Sequence, residues 1–509
     1  VRASQAWLLA ALAGCGPSRP AGTVVYASGA DLQSINPLVT THPLARQVQR
    51  YALFTTLVRY DSALAPRPYL ALGWRWSDDR RTVTFTLHPG VRWHDGTPTT
   101  SGDVAFTLDA ARDPATGYPR ARDLHCLDAV RAPDERTVVL AFCAPLARLP
   151  DVLADLAILP AHLLDTVPRG ALARAAFNAR PVGNGPFRFV AHEPDRRWVF
   201  EADTAFPAAL GGPPRIARLV IAVVDEPTTK LAGLVSGELD VAGIAPMHAE
   251  VVRRIPRRAV LDYPLLLTYG LVWNTSRPPF DDPALRRALT MALDRRQMVE
   301  AHVYGFGQVA DGPVPPVHPG AVAVPPIPFD RQAARAALDA LGWRPGADGV
   351  RVREGRRLAF TLLTVGSADN VLEQLIQADL AAVGARVRIR QLELGAFLAA
   401  AQSAARDYDA LVTGLTGDLD LGLLGALFDS RRRDRPLQYA QYADPAMDAA
   451  FDRGDLGEAQ RIAVREVPIT FLYHARGVQG IQTRLAGVRM DLRGELPTLA
   501  QWHLVPEAR

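Results

Sequence analysis

Between residues 219 and 242 the chain reads as strand, helix and strand, and that order constrains the fold most. Leu219-Val220-Ile221-Ala222-Val223 is an apolar run of strand length. Residues 226–235 carry helical spacing, and Gly237 stands where a helix ends in a left-handed residue. Asp240-Val241-Ala242 then turns apolar again. The succession predicts an α/β sheet rather than a bundle or a sandwich. A second block after residue 270 repeats the pattern. Asp282-Pro283 supplies an N-cap and a first-turn proline, and Leu285, Leu289, Ala292 and Leu293 follow on one face. Further helices are predicted at 331–341 and 370–383, with strands at 358–363, 387–391 and 410–414. Residues 312–328 form a proline-rich loop.

The first two hundred residues add a different texture. Strands are predicted at 23–27, 82–87 and 91–94, with a pair at 187–190 and 198–200. A helix is predicted at 45–58. Asp95-Gly96 is a turn signal, and Thr100 or Ser101 can cap a helix that carries Val104, Phe106, Leu108 and Ala111. At 509 residues the chain is long enough for two or three domains of roughly 100–200 residues each.

Residues 8–12 are apolar and run into Leu12-Ala13-Gly14-Cys15. The stretch is too short to span a bilayer, which takes about 20 apolar residues, and has the grammar of an export signal. Leu-Ala-Gly-Cys resembles the bacterial lipoprotein cleavage box, which would make Cys15 the lipidated first residue of a mature protein held outside the cytoplasm. The alternative is an ordinary signal peptide with an incidental cysteine.

Export bears on the other two cysteines. Cys126 and Cys143 flank the turn-like Pro133-Asp134-Glu135-Arg136. A turn centred between 134 and 135 sets them opposite each other in an antiparallel pair, on one face. An oxidising compartment permits a disulfide there; two buried free thiols are the other outcome.

Composition excludes several functions. Net charge is +4 and the pI about 9.1, but Lys230 is the only lysine and the arginines are scattered among acids. No basic stripe points to nucleic acid. Gly-x-Ser-x-Gly, a Walker loop and His-Glu-x-x-His are missing from the sequence. Lys230 has no Ser three residues before it, and His192-Glu193 lacks a second histidine at helical spacing. The 11 histidines are dispersed, so no metal site or cofactor is implied. His94, Trp74 and Trp93 read as structural.

Several segments together resemble the solute-binding proteins of the oligopeptide, dipeptide and nickel type that serve ABC importers. The strongest runs from Pro68-Tyr69-Leu70-Ala71-Leu72-Gly73-Trp74 through Thr84-Phe85-Thr86-Leu87 and Trp93-His94-Asp95-Gly96-Thr97-Pro98 to Asp103-Val104-Ala105-Phe106. Gly183-Asn184-Gly185-Pro186-Phe187, Ser236-Gly237-Glu238-Leu239-Asp240-Val241 and Pro279-Phe280-Asp281-Asp282 support it.

The resemblance implies a two-lobed periplasmic-binding-protein-like α/β fold of type II, the large peptide-binding class, with an inserted subdomain in the first lobe. Its expected parts are a signal segment at 1–15, a first-lobe core at 16–47, 182–264 and 485–509, an insertion at 48–181, and a second lobe at 265–484. The chain should cross between lobes near 265–270 and again near 484. The implied function is capture of a peptide-like solute and delivery to ABC permease subunits, by a monomer tethered through lipid, with no catalysis. Metal-chelate, haem or oligosaccharide import, or a non-transport role as envelope sensor or peptide-holding chaperone, are the alternatives. Asp418 matches the acid that pairs with a ligand's α-ammonium group in similar proteins; a loop acid or helix cap is its other reading. Leu415 stands where that family usually has an aromatic residue and is expected, with Asp418, to contact the ligand. Tyr439 and Tyr473, with Tyr442, fall in segments that can face the cleft.

Overall fold

Two long antiparallel strands, Arg258–Trp273 and Ile469–Gln482, form the spine of the computed structural model. The structure describes residues 19–40, 42–366, 370–403 and 405–505. Cys15 and its export box lie outside the described residues.

The spine belongs to an eleven-stranded sheet. On one side Ile469–Gln482 pairs with Val241–Gly243, followed by Thr23–Ser28, Arg218–Val223, Arg197–Ala202 and Phe187–Glu193. On the other side Arg258–Trp273 pairs with Ala410–Thr416, followed by Ala359–Val365 and Arg386–Leu392. The strand–helix–strand reading at 219–242 becomes Arg218–Val223, the helix Pro227–Ser236 and Val241–Gly243. Both strands lie parallel to Thr23–Ser28, one on each side of it. Gly237 ends the helix at φ +89°, a conformation that costs glycine little.

The spine changes allegiance at a bulge. Pro264 pairs with Arg476, but the next pair is Thr268 with His474. Leu265, Leu266 and Leu267 therefore stand opposite Ala475 alone, and such an insertion bends a strand. On the Pro264 side of the bulge Ile469–Gln482 pairs with the first half of the sheet, and from Leu267 on Arg258–Trp273 pairs with the second. Farther along the returning strand, Ile481 and Gly480 pair with Val241 and Ala242.

Apolar packing follows the same division. One core joins Val24, Leu219 and Phe187 of the first half to Phe85, Val138, Leu140 and Val104. Phe85, Val138 and Leu140 belong to a four-stranded antiparallel sheet, in the order Ala71–Trp76, Thr82–Leu87, Thr137–Phe142, Leu127–Asp134, covered by the helix Ser101–Arg112, which carries Val104. In the second half, strand alternation sends Leu271 and Trp273 to one core and Val272 to another on the opposite face.

The Trp93–Pro98 segment fastens the small sheet to the rest. Trp93 N–H donates to the Thr97 carbonyl at 2.8 Å, and Gly96 N–H to the Trp93 carbonyl at 2.8 Å. This turn uses up the backbone groups of the strand expected at 91–94, leaving only an isolated Arg92–Pro98 pairing. His94 N–H donates to the Gly183 carbonyl at 2.7 Å, and its Nε2 lies 2.9 Å from the Gly185 carbonyl. A Cβ on Gly183 would stand 1.9 Å from the Leu53 carbonyl oxygen, so no other residue fits. The helix expected at 45–58 is shorter: Pro43–Val48 continues as a π-helical turn, Gln49–Leu53, and stops where the chain meets these glycines. Cys126 and Cys143 form a disulfide across the hairpin, with Cα atoms 5.0 Å apart.

Candidate functional site

A cavity of about 310 Å³ opens where the bulge bends the spine. One wall comes from the second half of the sheet: Leu265, Leu266 and Leu267, and Thr416 to Asp420 at the end of Ala410–Thr416. Gly417 N–H donates to the Leu266 carbonyl at 2.7 Å, which fastens the strand-end loop to the bulge. The opposite wall comes from the first half: Arg46, Arg50, Tyr60, Arg120, Asp151, Asp155, Arg493 and Glu495 among others.

The first-half wall is a closed charge lattice. Asp155 ends the short helix Val152–Asp155 and has a side chain only 12% exposed. Arg46, Arg50 and Arg120 all donate to its carboxylate. Burial pushes this carboxyl up, but the three guanidinium groups outweigh it and hold it below the ordinary range. Arg493 pairs with Asp491 at 2.6 Å and donates to the Tyr60 carbonyl at 2.9 Å. Glu495 accepts from Gln47 and from the Tyr263 hydroxyl.

The second-half wall has charges to spare. Asp418 is exposed, and among the described residues its carboxylate takes no hydrogen bond or ion pair from the protein. Asp420 accepts from Gly422 N–H at 2.8 Å, just before the helix Gly422–Phe428, and makes no ion pair among the described residues. Both face Asp151 of the first half, which accepts from the Tyr60 hydroxyl and lies 3.4 Å from Arg148. Burial first, then the negative charges of Asp420, Asp155 and Asp418, push the Asp151 carboxyl up to about 7. Asp123 is raised by the same causes, burial first, even though Arg120 pairs with it. The cleft thus sets three arginines that share Asp155 across from two carboxylates, Asp418 and Asp420, that make no ion pair among the described residues, although the charge of Asp418 acts on Arg120. It is suited to a ligand that brings a positive group.

Of the residues singled out from the sequence, Asp418 lines this cavity. Leu415 is buried; strand alternation turns it into the core with Leu411, and it borders a void of about 20 Å³ behind the Asp418 loop. Tyr439 and Tyr473 do not line the cleft, contrary to expectation. Tyr439 is buried, and its carbonyl accepts from the Tyr408 hydroxyl at 2.6 Å. Tyr473 is fully buried and stacks on Tyr269 with ring centroids 5.0 Å apart. Both sit in strongly apolar surroundings, where a large ring gains most from packing. Reading by segment alone missed Arg46, Arg50, Arg120, Asp151, Asp155 and Asp420. One signal was present: Asp155 interrupts the apolar run from Val152 to Leu159, where a charge needs a partner. Among the described residues no group of three or more His, Cys, Asp or Glu side chains is placed to hold a metal ion.

Comparison with known proteins agrees with this geometry. The model of bacterial extracellular solute-binding proteins, family 5 Middle, matches residues 65–423. Protein XP55 of Streptomyces lividans is 30% identical over 468 residues, covering 88% of this chain and 83% of that protein. The oligopeptide-binding protein AppA of Bacillus subtilis is 25% identical over 96% of this chain and 93% of its own length. A probable di/tripeptide-binding protein of Pseudomonas aeruginosa is 26% identical over 85% of this chain and 83% of its own. Among solved structures, the B. subtilis AppA–nonapeptide complex superposes with a TM-score of 0.75 at 23% identity, covering 96% of this chain and 99% of that one. NikA of Brucella suis with Fe(III)-EDTA gives 0.84 at 19% identity, over 95% and 100%. These likenesses establish the two-lobed type II α/β fold.

Proposed function

The chain belongs to family 5 of the bacterial extracellular solute-binding proteins, and from that membership we propose that it captures a peptide-like solute between its lobes and delivers it to an ABC importer. The family is one of binding proteins, so the reading requires no bond to be made or broken. The peptide-binding names of its relatives support the ligand class.

The observation that carries the reading is the pair of unneutralised carboxylates, Asp418 and Asp420, facing a wall whose arginines are already paired. In this reading Asp418 holds the ammonium end of the peptide. The first lobe combines the residues before 48, 182–264 and the return segment from about 476 with an insertion at 48–181; the second lobe lies between. Closure about the bulge at Leu265–Leu266–Leu267 would bury the ligand, since hinge motions concentrate in a few element-terminal residues. The protein acts outside the cytoplasm as a monomer, and lipid on Cys15 tethers it to a membrane. No described helix is long and apolar enough to cross one.

Mass spectrometry of ligand released from purified protein tests the ligand class. Peptides are expected; a non-peptidic solute recovered at stoichiometric amounts contradicts the reading. Small-angle scattering tests closure, because the radius of gyration should fall on adding that ligand. Identical scattering at saturation argues against a hinge.

A further inference from the structure

The proline-rich stretch at 312–328 forms neither helix nor strand, yet it lays one buried side chain against the loop that carries Asp418 and Asp420. His318 is 5% exposed. Its backbone turns through Pro319 and Gly320: Ala321 N–H donates to the His318 carbonyl at 2.9 Å, a bend that a proline at its second position favours. Gly320 N–H also donates to His318 Nδ1 at 3.0 Å. A backbone N–H can only donate, so Nδ1 is the acceptor and the ring proton sits on Nε2. Nε2 stands 3.0 Å from the Leu419 carbonyl and donates to it. Burial, with the charge of Arg148, lowers the imidazole from its ordinary 6.5 and outweighs the Leu419 bond and the Asp420 charge, which raise it. The ring is therefore neutral near pH 7 and keeps both bonds.

The histidine is held in turn. Gln460, buried on the helix Leu456–Glu466, donates to the Gly320 carbonyl at 2.8 Å and accepts from Val322 N–H at 3.2 Å. Hydrogen bonds therefore run from a packed helix through Gly320 and His318 to the carbonyl of the residue between Asp418 and Asp420. Among the described residues the Asp418 carboxylate accepts no bond from the protein, and that of Asp420 accepts from Gly422 N–H. The place of both carboxylates in the cleft is set by the backbone of their loop.

We infer that His318 is a positioning residue for recognition: it fixes the Leu419 carbonyl, and through it holds the two carboxylates where the cationic group of the solute meets them. The inference rests on the peptide reading above, with Asp418 as the anchor. An anchor already in place loses less freedom when the ligand binds. A loop released from His318 must be ordered at that moment, and the Leu419 carbonyl loses its partner.

Two substitutions separate the two bonds of the ring. His318→Gln reaches as far as Nε2 and keeps a donor for Leu419. His318→Asn keeps an acceptor for Gly320 N–H but is too short to reach Leu419. Calorimetric titration of wild type and both variants with Ala-Ala-Ala and its N-acetylated form gives the ratio of the two affinities, and the free tripeptide should bind wild type more tightly. His318→Asn should cut that ratio about 3- to 10-fold, as loss of one hydrogen bond does. His318→Gln should leave it within about 2-fold of wild type. Gln460→Met loosens the same chain of bonds at its other end; it should lower the ratio in the same direction and serves if His318→Asn does not fold. A merely structural histidine would weaken both peptides together and leave the ratio unmoved. An unmoved ratio, or equal cuts in the Asn and Gln variants, overturns the inference while leaving peptide capture standing. If wild type binds the two forms equally the ammonium anchor falls, and if it binds neither the peptide reading falls; the role of His318 falls with either.

Discussion

The two walls of the cleft are built on opposite principles. On one side, three arginines converge on Asp155, and Arg120 and Arg493 pair further with Asp123 and Asp491. On the other side, Asp418 and Asp420 make no ion pair among the described residues and face another carboxyl, Asp151. A wall whose charges are satisfied internally is rigid and stabilises the fold. A wall whose charges are unsatisfied is available to a ligand. Under the proposed function the difference separates what holds the cleft together from what would recognise the solute, although all of these groups line one cavity of about 310 Å³.

Asp155→Ala should break the comparison most severely. It strands three guanidinium groups in a poorly hydrated wall, and removing one partner from such a network costs about 3–5 kcal/mol. Urea unfolding should show that loss, whereas Asp418→Ala should stay within about 0.5 kcal/mol of the wild type, as exposed positions do. Equal losses would mean that the two walls do not differ as described. Next in size is the disulfide that braces the hairpin of the four-stranded sheet. Replacing Cys126 and Cys143 together by Ser opens a loop with a sequence separation of 17, and a loop of that order is worth about 3 kcal/mol. Unfolding in the presence and absence of reductant measures it.

A smaller effect should appear in pH. The Asp151 carboxyl lies well above its ordinary value of 3.8, at about 7. A raised carboxyl favours folding where it is protonated, so its contribution is complete below about 3.8 and is lost as the pH rises through about 7. Asp151→Asn removes the ionisation and should therefore stabilise the protein at pH 8 relative to wild type, with little change at pH 4. Stability curves for the two proteins that stay parallel across this range would show that Asp151 titrates normally and that the opposing carboxylates do not act on it.

Much of the fold was legible because its elements are locally marked. The helix over 226–235 and its stop at Gly237, the Asp282-Pro283 start and the strand at 410–414 each carry their own signal, and each is found within a residue or two. The cysteine pairing was read from symmetry about 134–135; the hairpin instead pairs Asp134 with Thr137, and two register shifts along it bring Cys126 opposite Cys143. The departures come from tertiary contacts. The strand expected at 91–94 is consumed by its own turn and by the approach to Gly183. Nothing local announces that Ile469–Gln482 serves both halves of the sheet without a break.

The site was far less legible. Asp418 could be placed because it follows an apolar strand in a family-like segment. The lattice around Asp155 assembles residues 46, 50, 120 and 155, which no local pattern connects. Tyr439 and Tyr473 show the reverse error: a residue type suited to binding sites was read as binding, while burial had already assigned it to the core.

The central claim, that the unpaired second-lobe carboxylate anchors a cationic group, is tested most directly with a matched pair of ligands. Take a peptide that binds the wild type and its N-acetylated form, and titrate both into wild type and Asp418→Asn. A charge-assisted bond is worth roughly 1.5–3 kcal/mol, so the variant should lose about 10- to 150-fold in affinity for the free peptide and far less for the acetylated one. Equal losses for the two peptides would show that Asp418 supports the loop rather than the ligand, and would contradict the account.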